Sequence, residues 1–209
     1  MTRRVIHLLV GLALYGAGCA FTVRAGLGVD PWTVLAEGIS LRTGIGVGWV
    51  VNILGLAVML LWLPLRQRPG VGTVANILLV GTSMQAVLAV LPPMTGLVPR
   101  FLLLAAGIVA VAVASGLYLG ADFGAGPRDG LMTGIRARFG WPIWLARATV
   151  ELTVLGIGWV LGGTVGIGTL AFAVAIGPLV HVMMPLLAIR RTTPRPVSAG
   201  GTAASRSRV

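Results

Sequence analysis

Arg147 and Glu151 stand four residues apart inside an apolar run, Ile143 to Leu161, so one helical turn puts both on one face. A lone charge at bilayer depth is expensive, and the two must pair or face water. That arrangement offers a proton carrier in Glu151 and an anion contact in Arg147, or equally an ion pair that locks helix packing. The remaining acids are Asp30, Glu37, Asp122 and Asp129, each in or beside a glycine-rich segment. Gly26-Leu27-Gly28-Val29-Asp30-Pro31 is matched by Gly124-Ala125-Gly126-Pro127-Arg128-Asp129. Gly26, Gly28, Gly124 and Gly126 would let backbone approach a solute, Arg128 would contact an anion, and Asp30 and Asp129 would cap helices or contact a cation.

Composition removes other chemistry. All 16 basic residues are arginine, which excludes a phosphate-loop lysine, a Schiff base and any lysine nucleophile. One cysteine and 2 histidines make neither an internal disulfide nor a useful metal set. Aspartates after Gly-x-Gly invite comparison with intramembrane aspartyl proteases, whose signature is Gly-x-Gly-Asp. Here one or two extra residues intervene, so no catalytic residue, metal or cofactor is expected and the chain is not read as an enzyme.

Those residues need a scaffold that lives in lipid. Apolar residues make up 56% of the 209 and charged residues 10%, with mean hydropathy +0.96, far from a soluble domain. A span needs about 20 apolar residues. Val5–Thr22, Val47–Leu65, Val71–Leu91, Phe101–Leu119, Ile143–Leu161 and Thr169–Ile189 are therefore predicted to cross. Pro92 and Pro93 close the third, and Pro178 and Pro185 bend the sixth. With the N-terminus inside, 12 arginines fall on the cytoplasmic side and only Arg24, Arg42 and Arg100 outside. The net charge of +11 is thus topological and no nucleic-acid partner is expected. Gly16-Ala17-Gly18-Cys19 has the look of a lipoprotein cleavage box, but the repeat described next requires that segment to be retained. Residues 190–209 read as a disordered basic cytoplasmic tail.

The chain contains itself twice. Gly70-Val71-Gly72-Thr73 with Gly81 recurs as Gly166-Ile167-Gly168-Thr169 with Gly177, 96 residues on. Read letter by letter, the upstream loops match at 98 for the glycines and 99 for Asp30 and Asp129. In the same reading Trp49 faces Trp144, Asn52 faces Arg147, and Gln85 faces His181. Each copy holds three spans, an odd number, so the second inserts upside down, as in many secondary transporters. Between first and second spans each copy carries a short amphipathic helix. One is capped by Asp30 and ended by Gly44, the other capped by Asp129 and ended by Gly140. At this length neither crosses, and both are either re-entrant or interfacial.

At these residues the chain resembles the YczE/YitT family of small bacterial integral membrane proteins. The resemblance rests on Gly26 to Trp32, Gly124 to Met132, Arg147 with Glu151, and Gly162 to Thr169, and covers Val5 to about Ile189. It implies a multi-span plasma-membrane protein and supplies no substrate and no catalytic residue.

The expectation is an all-α membrane protein. Six transmembrane helices form two inverted three-helix repeats, about 5–92 and 101–189, each with a short re-entrant or interfacial helix. Its partners are the lipid bilayer, a small solute and, optionally, further copies of itself as a homo-oligomer. The reading is a transporter or permeation protein in the bacterial plasma membrane, multi-pass, with both termini cytoplasmic. The alternatives are a non-transporting protein that assembles or regulates a partner, and the substrate-capture subunit of a multi-component importer. Cysteine-accessibility mapping is expected to place residues near Asp30 outside and residues near Asp129 inside. Labelling of both from one side would remove the inverted repeat.

Overall fold

A computed structural model describes residues 1–187. Ile189 and the basic tail lie outside that range. The described residues form eight helices: α1 (Thr2–Ala25), α2 (Pro31–Thr43), α3 (Val47–Leu61), α4 (Val71–Val90), α5 (Leu97–Gly120), α6 (Pro127–Phe139), α7 (Ile143–Val160) and α8 (Ile167–Leu187). Five of them, α1, α4, α5, α7 and α8, are long and apolar enough to cross a membrane. The expected second span is shorter than its sequence pattern, at 15 residues. Pro64 lacks the N–H that would continue the helix and disfavours helical backbone at Leu63, so α3 stops at Leu61. It reaches span length only together with α2, to which it is joined at a bend of 114°.

α1 and α5 run antiparallel along their full length. Gly11 meets the Tyr118 backbone and Gly18 meets Val111 and Gly107, so the two backbones approach where no Cβ intervenes. Each helix also caps the other. Arg4 Nε donates to Ala121 O at 2.8 Å, and Arg100 Nε donates to Ala25 O at 2.6 Å. The last carbonyls of both helices thus receive a guanidinium, which also suits the negative end of the helix dipole. α4 packs on α1 and α8 on α5, around a core of Cys19, Ala20, Met84, Leu104, Val111 and Phe172.

Backbone conformation repeats at one constant spacing. Positive φ occurs at Gly26 (61°) and Asp122 (56°), Gly28 (106°) and Gly124 (114°), Gly44 (75°) and Gly140 (69°), and Arg66 (52°) and Gly162 (102°), each pair 96 residues apart. Pro31 and Pro127, the first helical residues of α2 and α6, obey the same spacing. The offsets of 98 and 99 are therefore corrected to 96. Asp30 now faces Gly126, Trp32 faces Arg128, Thr33 faces Asp129 and Val51 faces Arg147. Asn52 faces Ala148 and Trp49 faces Leu145. Asp30 does cap α2, accepting from Thr33 N and Thr33 Oγ1. Asp129 does not cap α6. Pro127, with φ already helical, starts that helix after Gly126 and leaves Asp129 within its first turn.

Each half clasps the other. Gly168 N donates to Leu27 O at 2.7 Å, and Gly72 N donates to Phe123 O at 2.9 Å, again 96 residues apart in donor and acceptor. A Cβ on Gly28 would lie 2.6 Å from Gly166 N, which glycine alone permits. Gly28→Ala is expected to lower the melting temperature in detergent by well over the shift from Gly44→Ala. Gly44 shares the positive φ but has open space around it, so only the left-handed strain of about 1–2 kcal/mol applies there. Equal shifts would show that the clasp contributes nothing.

Candidate functional site

The segments after α1 and α5 turn back into the bundle. Both helices are 24 residues long, about 36 Å, and their C-terminal ends lie at opposite ends of the pair. Yet Asp30 and Arg128, just beyond those ends, meet at 3.4 Å. The Arg128 guanidinium lies 5.5 Å from the Tyr15 ring centroid, near the middle of α1, and 5.8 Å from that of Trp32. The N-termini of α2 and α6 thus converge mid-bundle, and Arg128 is held there by one carboxylate and two aromatic faces.

Beside this junction opens a cavity of about 290 Å³. All five side chains singled out from the sequence line it: Asp30, Arg128, Asp129, Arg147 and Glu151. Asp30 is the most buried, at 1% exposure. Asp129 Oδ2 accepts from Tyr118 Oη at 2.8 Å. Arg147 Nε and Glu151 Oε1 pair at 3.0 Å with side-chain exposures of 56% and 32%, so this pair faces open space and is not a packing lock. Of the four glycines expected to admit a solute, Gly126 reaches the cavity. Gly26 sits against the Arg100 side chain, Gly28 against the Gly166 backbone and Gly124 against that of Gly70, so these three serve protein–protein approach.

A second cavity, of about 50 Å³, lies on the other side of the same partition. Trp32, Asn76 and Arg128 border both. The large cavity separates α7 from α8; the small one is bounded by α3 and α4. These two helix pairs are equivalent in the repeat but differ in closure. α3 and α4 are zipped together: Gly48 N donates to Gln85 Oε1 at 3.1 Å, Asn52 Nδ2 donates to Thr82 Oγ1 at 3.1 Å, and Gly81 abuts Gly48 O. α7 and α8 barely touch, and Gly177, the counterpart of Gly81, has nothing within 4 Å of where a Cβ would stand.

Sequence reasoning missed Tyr15, Trp32 and Tyr118 as site residues. The chain's 2 tyrosines both fall inside apolar spans, a signal that was available. Trp32 Nε1 is a buried donor at the partition without a hydrogen-bond partner among the described residues.

Comparison with known proteins places this architecture. A family described as of unknown function, DUF6198, matches residues 2–185. The chain belongs to DUF6198. Within reach of it are an uncharacterized protein of Haemophilus influenzae, 40% identical over 89% of this chain and 85% of the relative. The uncharacterized membrane protein YczE of Bacillus subtilis is 30% identical over 88% of this chain and 87% of its own length. YyaS of the same organism is 26% identical over 85% and 90%. The resemblance to YczE is thereby established, and this DUF6198 chain is a membrane protein with an all-helical fold. No solved structure matches it.

Breaking the Asp30–Arg128 pair leaves a buried charge alone, on the order of 3–5 kcal/mol. Separating the open Arg147–Glu151 pair is worth about 0–1 kcal/mol. Arg128→Gln should therefore destabilise the folded protein severely and Glu151→Gln hardly at all, read by thermal unfolding in detergent. The reverse order would assign the structural role to the α7 pair.

Proposed function

We propose that the protein moves a small solute across the bacterial plasma membrane through the centre between two inverted three-span repeats. α1 with α5 forms the axis, α2 and α6 are re-entrant, and α3 crosses as the sixth span after the bend that follows α2. Half-helix N-termini meeting at mid-depth beside a cavity are the usual form of a solute site in transporters. The antiparallel α1–α5 pair and the constant 96-residue spacing support the inversion. The arginine bias supports cytoplasmic termini.

The observation that carries the reading is the inequality of two equivalent seams about one partition. With the termini inside, the zipped Gly48–Gln85 end of α3 and α4 faces out and the Arg147 end of the α7–α8 gap faces in. A closed outer seam with an open inner one is what an inward-facing carrier requires. Exchange of the two arrangements would pass the solute around Arg128, Trp32 and Asn76 without opening both sides.

Untargeted metabolite profiling inside and outside cells tests this, comparing wild type with Ala173→Trp at matched membrane abundance. Ala173 lines the large cavity, and an indole there fills it without altering any charge. A solute that redistributes with wild type and not with Ala173→Trp is the expected result. No redistribution with either protein would overturn transport.

A further inference from the structure

The carboxylates divide by partner. Asp30 is paired with Arg128, Asp122 with Arg4 at 3.5 Å and Glu151 with Arg147, while Asp129 is bonded to Tyr118 beside Arg128. Glu37 is different. It is buried at 8% exposure in the middle of α2, and no arginine among the described residues pairs with it. Its Oε2 accepts from the backbone N–H of Thr164, at 2.9 Å. The charged groups around it do not neutralise it. On its own helix, Asp30 adds a like charge, and Arg42 is turned to Leu161 O at 3.3 Å. α7 brings Arg147 and Glu151, committed to each other, whereas α3 and the 161–166 turn carry no titratable residue.

Thr164 lies in the turn from which α7 and α8 diverge. Its carbonyl accepts from Val29 N at 3.3 Å while its N–H serves Glu37, so the segment of α2 holds both faces of one peptide residue. Gly163 abuts Val34 O alongside. The equivalent positions of the other half are Thr133 on α6 and Arg68 in the α3–α4 turn, neither of which offers such a carboxylate. The fastening exists only on the side whose seam stands open.

We infer that Glu37 is a proton-binding site that governs the α7–α8 turn. An ionised carboxylate buried without a cation is costly and exchanges its charge for a proton readily. The ionised form makes a charge-assisted bond to Thr164 N–H. Uptake of one proton from water converts it to a neutral carboxylic acid, whose bond is roughly half as strong. The turn is then released and α7 can close on α8. This role rests on the transport reading, in which it supplies the coupling ion; Glu151, half-exposed and paired, is left as a wall of the cavity.

The test needs no solute. Infrared difference spectra of the full-length protein are recorded across a pH titration for wild type, Glu37→Gln, Glu37→Asp and Glu151→Gln. In parallel, Gly177→Cys in a Cys19→Ala background is alkylated by a water-soluble maleimide at each pH. A protonated-carboxyl band should titrate in wild type, survive in Glu151→Gln, shift in Glu37→Asp and vanish in Glu37→Gln. Relative to a free thiol reacted at the same pH, alkylation should slow several-fold as the wild-type pH falls, and be slow with a constant ratio in Glu37→Gln. A band that persists in Glu37→Gln, or a pH dependence unchanged by that substitution, overturns the inference. A titrating band without any moving solute would fault transport alone, and a moving solute without the band would fault Glu37 alone.

Discussion

Backbone that leaves a helix inside lipid must find its hydrogen-bond partners within the protein. Residues 26–30 and 122–126 leave their helices at the ends of the pair and turn back into the bundle, and the rest of the molecule is arranged around satisfying them. The Gly-x-Gly-Thr turn of each half serves the other: Gly168 N reaches Leu27 O and Gly72 N reaches Phe123 O. Thr73 Oγ1 adds a bond to Ala125 O at 2.7 Å. Each half completes the other's broken segment, so the halves are held together by the same bonds that bring the N-termini of α2 and α6 to one junction.

On that symmetric frame the charged residues are departures from symmetry. At the common spacing Arg128 stands opposite Trp32, Asp129 opposite Thr33, Arg147 opposite Val51 and Glu151 opposite Gly55. The consequence is local and physical. Val51 and Gly55 allow α3 and α4 to close over glycine and amide contacts. Arg147 and Glu151 keep their hydration only if α7 and α8 stand apart. One backbone plan thus yields a closed seam and an open one.

Arg4 and Arg100 illustrate a related economy of roles. They lie near the ends of an antiparallel helix pair, and their guanidiniums cap the C-terminal carbonyls of the opposing long helix. Arg4 also pairs with Asp122, the residue that takes the left-handed conformation filled by Gly26 in the other half.

Much of this was legible in the chain itself. Hydropathy alone places the long helices to within a few residues. Asp30-Pro31 and Gly44 mark both ends of α2, because caps and left-handed termini are local chemistry. The i,i+4 spacing already pairs Arg147 with Glu151, and the five polar residues picked out for their cost in lipid do share one cavity. The Gly-x-Gly-Thr turns already carried the spacing of 96, but the register of the upstream glycine loops was not legible in their letters. What repeats is positive φ, and Asp122 and Arg66 adopt it where the other half has glycine, so matching Gly-x-Gly to Gly-x-Gly slips by two residues and misassigns Asp129 as a cap. Tertiary structure alone decided that Asp30 and Arg128 meet, that Tyr15, Trp32 and Asn76 wall the site, and that Glu37 is buried without a cation among the described residues. Those facts depend on two loops entering from opposite ends of an antiparallel pair, a long-range closure that no local pattern encodes.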